Sequence, residues 1–232
     1  VGYVNWGYEA IGRFQNWEQI ANYPIDNDRK GNRTVVPGDI MYKDQNNDGV
    51  INYLDERPIG YRVDSTPTLN FGINLSASWK GFDLAMDWTG SGMTSWNQCY
   101  ETARPFQNDG NSPDEVLKDA WHLSDIWDAN SPLIPGKYPM IRLNTDETSA
   151  YDKSSYWLHN VTYLKLRNLE VGYTFPKTWL NKTGISNLRL FVSGTNLLTL
   201  SNLSVMDPEC ASDNGLDYPP MRVINIGVNL KF

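Results

Sequence analysis

Between Thr68 and Gly90 apolar and polar side chains alternate almost without interruption. Leu69, Phe71, Ile73, Leu75, Ala77 and Trp79 share one phase, while Asn70, Gly72, Asn74, Ser76 and Ser78 share the other. A period of two marks a strand with one apolar face. Lys80-Gly81 predicts a tight turn, after which Phe82, Leu84, Met86 and Trp88 resume the apolar phase opposite Asp83, Asp87 and Thr89. The same texture returns in "VTYLKLRNLEVGYTF", where the phase slips near Arg167-Asn168 and predicts a β-bulge. It returns again in "LRLFVSGTNLL" and in the closing "RVINIGVNLKF". There Ile224, Ile226, Val228, Leu230 and Phe232 lie opposite Asn225, Gly227, Asn229 and Lys231.

None of these apolar phases carries a charge, and about ten alternating residues are enough for a tilted strand to cross a bilayer. The partition suits an antiparallel transmembrane β-barrel, because a charge on the lipid side costs roughly 2–4 kcal/mol at mid-bilayer and little on the lumen side. Trp79, Trp88, Trp157 and Tyr173 suit the aromatic girdles of such a barrel. The competing all-β reading is a soluble sandwich, whose strands average about five or six residues and whose inner faces meet a second sheet. The two readings differ on whether Phe71, Ile73, Phe82, Leu84, Ile226 and Val228 face outward uncovered. Five strands are too few to close a barrel, which implies further strands outside this chain. The long connections, 91–156 and 201–220, fall at one end of the strands and the short ones, Lys80-Gly81 and 176–187, at the other, as in bacterial barrels.

The domain organisation read from this pattern is a loop region over 1–66 followed by barrel strands with their inserts over 67–232. In the first part Asn16 caps a short helix carrying Trp17, Ile20 and Tyr23. In the first insert "SPDEVLKDAWHL" reads as a helix with Ser112 in a capping box. The stretch "DQNNDGVINYLDE" places Asp44, Asn46 and Asp48 at alternate positions, then Gly49, with Asn52 and Asp55 at the ninth and twelfth places. That is the oxygen-donor spacing of an EF-hand or dockerin type of calcium loop, with the Val50 carbonyl at the seventh place and the glycine at the sharp turn. Aspartate rather than glutamate closes it. The plain alternative is a solvated Asx-rich turn.

Composition narrows the function. The 232-residue chain has a net charge of -7, nine Trp and thirteen Tyr, and no clustered basic residues, which argues against nucleic acid. No apolar run is long enough for a spanning helix, and "VGYVNWGYEA" does not read as a signal peptide. Cys99 and Cys210 are equally compatible with one disulfide and with two thiols. His122 and His159 form no metal pair, Asp125 and Asp128 read as surface charge rather than a glycosidase pair, and no nucleophile motif is present, so no enzyme is expected. Trp96, Tyr100, Trp121, Trp127 and Tyr138 in the first insert are candidate contacts for a sugar or a partner, or pins that hold the insert to itself.

Taken together, "GDIMYKDQNNDGVINYLDERPIG", "TLNFGINLSASWKGFDLAMDW", "SSYWLHNVTYLKLRNLEVGYTFP", "GISNLRLFVSGTNLLTLSN" and "YPPMRVINIGVNLKF" resemble the carboxy-terminal part of the SusC/RagA family of TonB-dependent outer-membrane transporters of Bacteroidetes. The resemblance implies the last strands of a 22-stranded barrel, with the amino-terminal plug and the TonB-contacting segment outside this chain. It implies an importer of oligosaccharides or oligopeptides, energised through TonB-ExbB-ExbD and fed by a SusD-like surface lipoprotein. Further implications are a dimer of transporter-lipoprotein pairs, a Gram-negative outer-membrane location, and Ile226, Val228, Leu230 and Phe232 as the terminal barrel-assembly signal. A soluble calcium-stabilised carbohydrate-binding sandwich is the alternative, with Trp96, Trp121 and Trp127 as its sugar platform.

Overall fold

A computed structural model describes residues 4–61, 67–143, 147–181, 184–209, 214–215 and 217–232. In chain order its elements are β1 (Val4–Gly7), β2 (Ala10–Arg13), α1 (Trp17–Ala21), β3 (Ile40–Tyr42), β4 (Arg57–Tyr61), β5 (Leu69–Trp79) and β6 (Phe82–Asn97). There follow α2 (Asp114–Lys118), β7 (His122–Leu123), β8 (Leu133–Ile134), β9 (Leu158–Thr174), α3 (Lys177–Leu180), β10 (Asn187–Ser201) and β11 (Val223–Lys231). The chain forms two compact units. The first takes the described residues among 1–65, 94–160 and 211–217, and the second those among 66–93, 161–210 and 218–232.

The sheet of the second unit is a five-stranded antiparallel meander in the order β11-β10-β9-β6-β5. Trp79 pairs with Phe82 and the register runs unbroken to Leu69 opposite Gly92. Lys80 and Gly81 both take positive φ, 49° and 91°, which is the left-handed pair that a two-residue type I′ turn requires. From Asn187 opposite Lys231 to Thr195 opposite Val223 the β10–β11 register is also unbroken. Short connections, one of them holding α3, lie at one end of the strands and long ones at the other.

Two features differ from expectation. β6 continues to Asn97, so 91–97, expected to open the long insert, are strand. Gly90, Ser91, Gly92, Thr94, Ser95 and Trp96 are buried, and a strand buried on both faces shows no alternation to read. Backbone and side-chain bonds still tie it across, Ser95 Oγ donating to Asn160 Oδ1 at 3.0 Å and Gln98 N to Trp157 O at 2.9 Å. The bulge expected at Arg167-Asn168 coincides with a register shift between β9 and β10. Thr195 pairs with Asn168 and Leu198 with Leu166, so the extra residue lies in β10, where Asn196 takes φ 53°.

The first unit is built from three two-stranded ribbons, β1-β4, β2-β3 and β7-β8. Its core gathers Tyr8, Ile40, Tyr42, Ile51, Tyr138 and Trp157. Trp157, expected in a girdle, is buried here. Its ring stacks on Tyr151 at 5.6 Å and meets Tyr156 edge-on at 4.9 Å, and its indole N–H donates to Ala150 O at 2.8 Å. Burying a side chain of this size supplies about 3 kcal/mol, one contribution among many against the entropy of ordering the long insert. α1 starts as expected, with Asn16 Oδ1 accepting the Gln19 N–H at 2.8 Å. α2 does not: Pro113 occupies its cap position with no side-chain cap, and buried Ser112 turns its hydroxyl to the Pro113 carbonyl. A proline ahead of the first turn presets the backbone, so the helix starts without the hydroxyl.

Candidate functional site

The acidic loop folds around its own carboxylates. Asp44 accepts the N–H groups of Asn47 at 2.6 Å and Gly49 at 2.8 Å, and Asp48 accepts that of Val50 at 2.9 Å. Asp55, fully buried, accepts Gln45 N–H on one oxygen and Asn52 N–H on the other, both at 2.8 Å. Gly49 sits at φ 83°, where a side chain is disfavoured. Asn52 caps the short turn Tyr53–Asp55 and Asp55 bonds back, a reciprocal capping box. The Val50 N–H holds the Asp48 carboxyl below its ordinary range, with the Asn46 amide adding to the effect.

One oxygen from each of Asp44, Asp48 and Asp55 lies within 4.8 Å of the others. Three carboxylates so close repel one another when charged, and backbone donors steady them. Each oxygen keeps a lone pair beyond its hydrogen bond, so the donor set suits a hard divalent cation. Asn46 and Asn52 direct their amide N–H groups at Asp48, at 2.9 and 3.2 Å, and Val50 O accepts the Asn52 amide at 3.2 Å. In this arrangement the three carboxylates converge, while the Asn46 and Asn52 side-chain oxygens accept backbone N–H groups of Asp48 and Leu54.

Below the loop lies a polar network that the sequence reading missed. Asp26 exchanges backbone bonds with the loop, Asp26 N to Gly49 O at 2.8 Å and Ile51 N to Asp26 O at 2.9 Å. Asp28 gathers Lys30 N–H, Asn32 N–H, and both the N–H and the hydroxyl of Thr34. Buried Asn27 bridges Ile40 O, Ser149 Oγ and Tyr42 N–H. Buried Asp39 accepts the Arg142 guanidinium at 2.6 Å and the Val36 N–H at 3.0 Å. Burial outweighs those partners and raises the Asp39 carboxyl to about 6. A single Asp in a loop carries no sequence signal for such a role.

The insert aromatics separate. Trp96 and Trp121 are 5 % exposed and Tyr138 is 1 % exposed, so these three hold the insert together. The Trp121 ring closes against Gly38 and lies 5.8 Å from the Arg13 guanidinium. Trp96 and Trp121, expected in a sugar platform, are thus buried rather than open, and Trp121 lines a cavity with His122, Leu123 and Ile126. Trp127, 90 % exposed, and Tyr100 remain open. Asp125 and Asp128 cap their own loop, accepting the N–H groups of Trp127 and Asn130 at 2.9 Å. Cys210 lies outside the described residues.

In the second unit the two phases of the sheet differ in chemistry. On the polar phase Arg189 bridges Asp83 and Glu170, Asn168 donates to Asp87, and Arg167 donates to Thr89 Oγ1 at 3.0 Å. On the apolar phase Phe71, Ile73, Phe82, Ile226 and Val228 are all exposed, and Leu84 is half-buried. The terminal residues Ile226, Val228 and Leu230 pair with Val192, Leu190 and Leu188 along one uncovered face, and Phe232 follows them, exposed.

No family model matches the chain. Its sequence is 30% identical to a TonB-dependent receptor of Formosa agariphila over 97% of this chain and 22% of that protein. A second receptor of the same organism is 26% identical over the same shares. The TonB-dependent receptor SusC of Bacteroides thetaiotaomicron is 31% identical over 34% of this chain and 8% of that protein. Among solved structures, the fold matches that of the RagAB peptide transporter with a TM-score of 0.61 at 22% identity, covering 99% of this chain and 22% of that one. For the RagAB peptide importer in an open-open state the TM-score is 0.63 at 23% identity, covering 100% and 23%. The chain therefore spans under a quarter of the length of the relatives it matches, and its five-stranded sheet is a segment of antiparallel barrel wall.

Proposed function

We infer that this chain, which belongs with the TonB-dependent receptors of the SusC/RagA kind, forms the carboxy-terminal wall of an outer-membrane nutrient importer. The observation that carries the reading is the uncovered apolar phase of the meander, uncharged from Leu69 to Phe232, beside a polar phase laced with ion pairs. Placed in lipid, the first phase loses little and gains contact, and the second lines a polar path. A soluble sandwich needs a cover over Phe71, Ile73, Ile226 and Val228, and their exposure disfavours it. The same reading gives the importer a SusD-like lipoprotein at its outer mouth and TonB-ExbB-ExbD as its energy source. Its cargo is an oligopeptide or an oligosaccharide, with the likeness to the RagAB peptide importer favouring the former.

In the first unit, Asp44, Asp48 and Asp55, assisted by Asn46, Val50 and Asn52, hold a structural calcium ion that pins an extracellular loop. Calcium supplies charge neutralisation there and no chemistry on the cargo. The native protein tests the whole reading: its intact mass, its membrane fraction and what it carries with it. A species several times heavier than 26.4 kDa, extracted from outer membranes together with a lipoprotein, is the expected result. A soluble 26.4 kDa monomer rejects it.

A further inference from the structure

The connection between β10 and β11 begins by turning back onto the polar phase of the second unit. Asn202 is tied to β9, its Oδ1 accepting Thr162 N–H at 2.9 Å and its own N–H donating to Thr162 O at 3.3 Å, and Leu203 is buried beside it. Further along, Asp207 sets both carboxylate oxygens 2.8 Å from Lys165 Nζ, and Glu209 adds a third contact at 2.9 Å while its other oxygen pairs with Arg167. Lys165 is only 1% exposed. An ammonium buried this far in a strand is tolerable only with its counter-charges in place, so the wall strand and the loop depend on each other. Arg167 continues the same network to Thr89 and Asn196, which puts Asp207 and Glu209 on the polar side of the sheet rather than its apolar side.

We propose that residues 202–209 are a strap docked on the solute-facing side of the barrel wall, anchored by Lys165 and Arg167, that restricts the passage of large polar solutes through the importer. This rests on the importer reading above, since a solute-facing side exists only in a barrel. The strap takes up space on the inner surface, and its two carboxylates neutralise cations that would otherwise line the path.

The test uses the full-length transporter with Cys99 and Cys210 replaced by serine and Leu203→Cys as a reporter, labelled with a water-soluble maleimide. Labelling is expected to be at least about tenfold faster when D207N/E209Q is added, because the strap then opens locally; Asp207→Asn alone gives an intermediate rate if the double variant fails to assemble. Cells carrying D207N/E209Q with native Leu203 are expected to take up a vancomycin-type antibiotic several-fold faster. Equal labelling rates overturn the docking, and unchanged uptake alongside faster labelling overturns the restriction. Heat-modifiable mobility of the parent protein on gels reports barrel formation separately. Its absence overturns the importer reading, and the labelling comparison still judges the strap.

Discussion

Asp55 and Asp39 show how two buried carboxylates in one unit come to opposite ends. Asp55 spends both oxygens on backbone N–H groups and faces two more acids, which makes it the position where a cation gains most. Asp55→Asn is expected to weaken calcium binding by at least about tenfold, read by titration calorimetry on the intact transporter, because the last carboxylate of such a loop supplies much of its charge; unchanged affinity removes the loop from consideration. Asp39 instead holds a proton more tightly folded than unfolded, at about 6 against an ordinary 3.8. The folded first unit therefore binds more protons than the unfolded chain in that window, and its stability falls as pH rises from about 4 through 6. Asp39→Asn should flatten this slope, because the titrating group is gone, and above about pH 6 it also removes the counter-charge of Arg142. Protease resistance of the first unit between pH 4 and 7 measures both effects. The donor spacing at 44–55 was legible because a fixed period betrays it. Asp39 was not, because its partner stands 103 positions away.

Strands were the most readable elements, and the limits of that reading are physical. β5 and β11 were located almost to the residue, since each has one polar and one apolar phase. β6 beyond Gly90 was lost because it is buried on both faces; the phase slip at Arg167-Asn168 was legible, since both side chains reach the polar phase, but a slip in one sequence does not say that the ladder's extra residue lies in β10. For β11 the phase itself makes a prediction. Ile226→Lys puts a charge on the uncovered face at mid-strand, a cost of roughly 2–4 kcal/mol if that face meets lipid. Asn225→Lys, one residue away on the other phase, is expected to be tolerated. Loss of heat-modifiable, membrane-inserted protein for the first variant alone is the expected outcome; equal assembly of both contradicts a lipid-facing β11.

At the scale of the whole chain, the two units divide the labour. The second has little core and long ladders, as a wall needs, whereas the first has a dense aromatic core around Trp157 and a polar network that reaches the acidic loop through Asp26 and Ile51. With calcium in the loop as proposed, that connection makes metal removal a folding event for the first unit. Chelation of the native transporter is expected to expose cleavage sites within residues 26–56 while leaving the heat-modifiable barrel intact, as judged by mass mapping of limited digests; identical digests with and without chelator argue against a structural ion. The division also bears on how such a chain diversifies. Lys80-Gly81 joins β5 to β6 in two residues whose backbone angles fix the register, so an insertion there shifts every side chain of a strand to the opposite face. The exposed stretch around Trp127 in the connection from β6 to β9 carries no such constraint, and doubling a flexible loop's length costs only about 0.6 kcal/mol in closure entropy. One rim of the wall is thus frozen and the other is freer to be rewritten, so under the importer reading proposed above a lineage can change what the protein meets outside the cell without altering how it sits in the membrane.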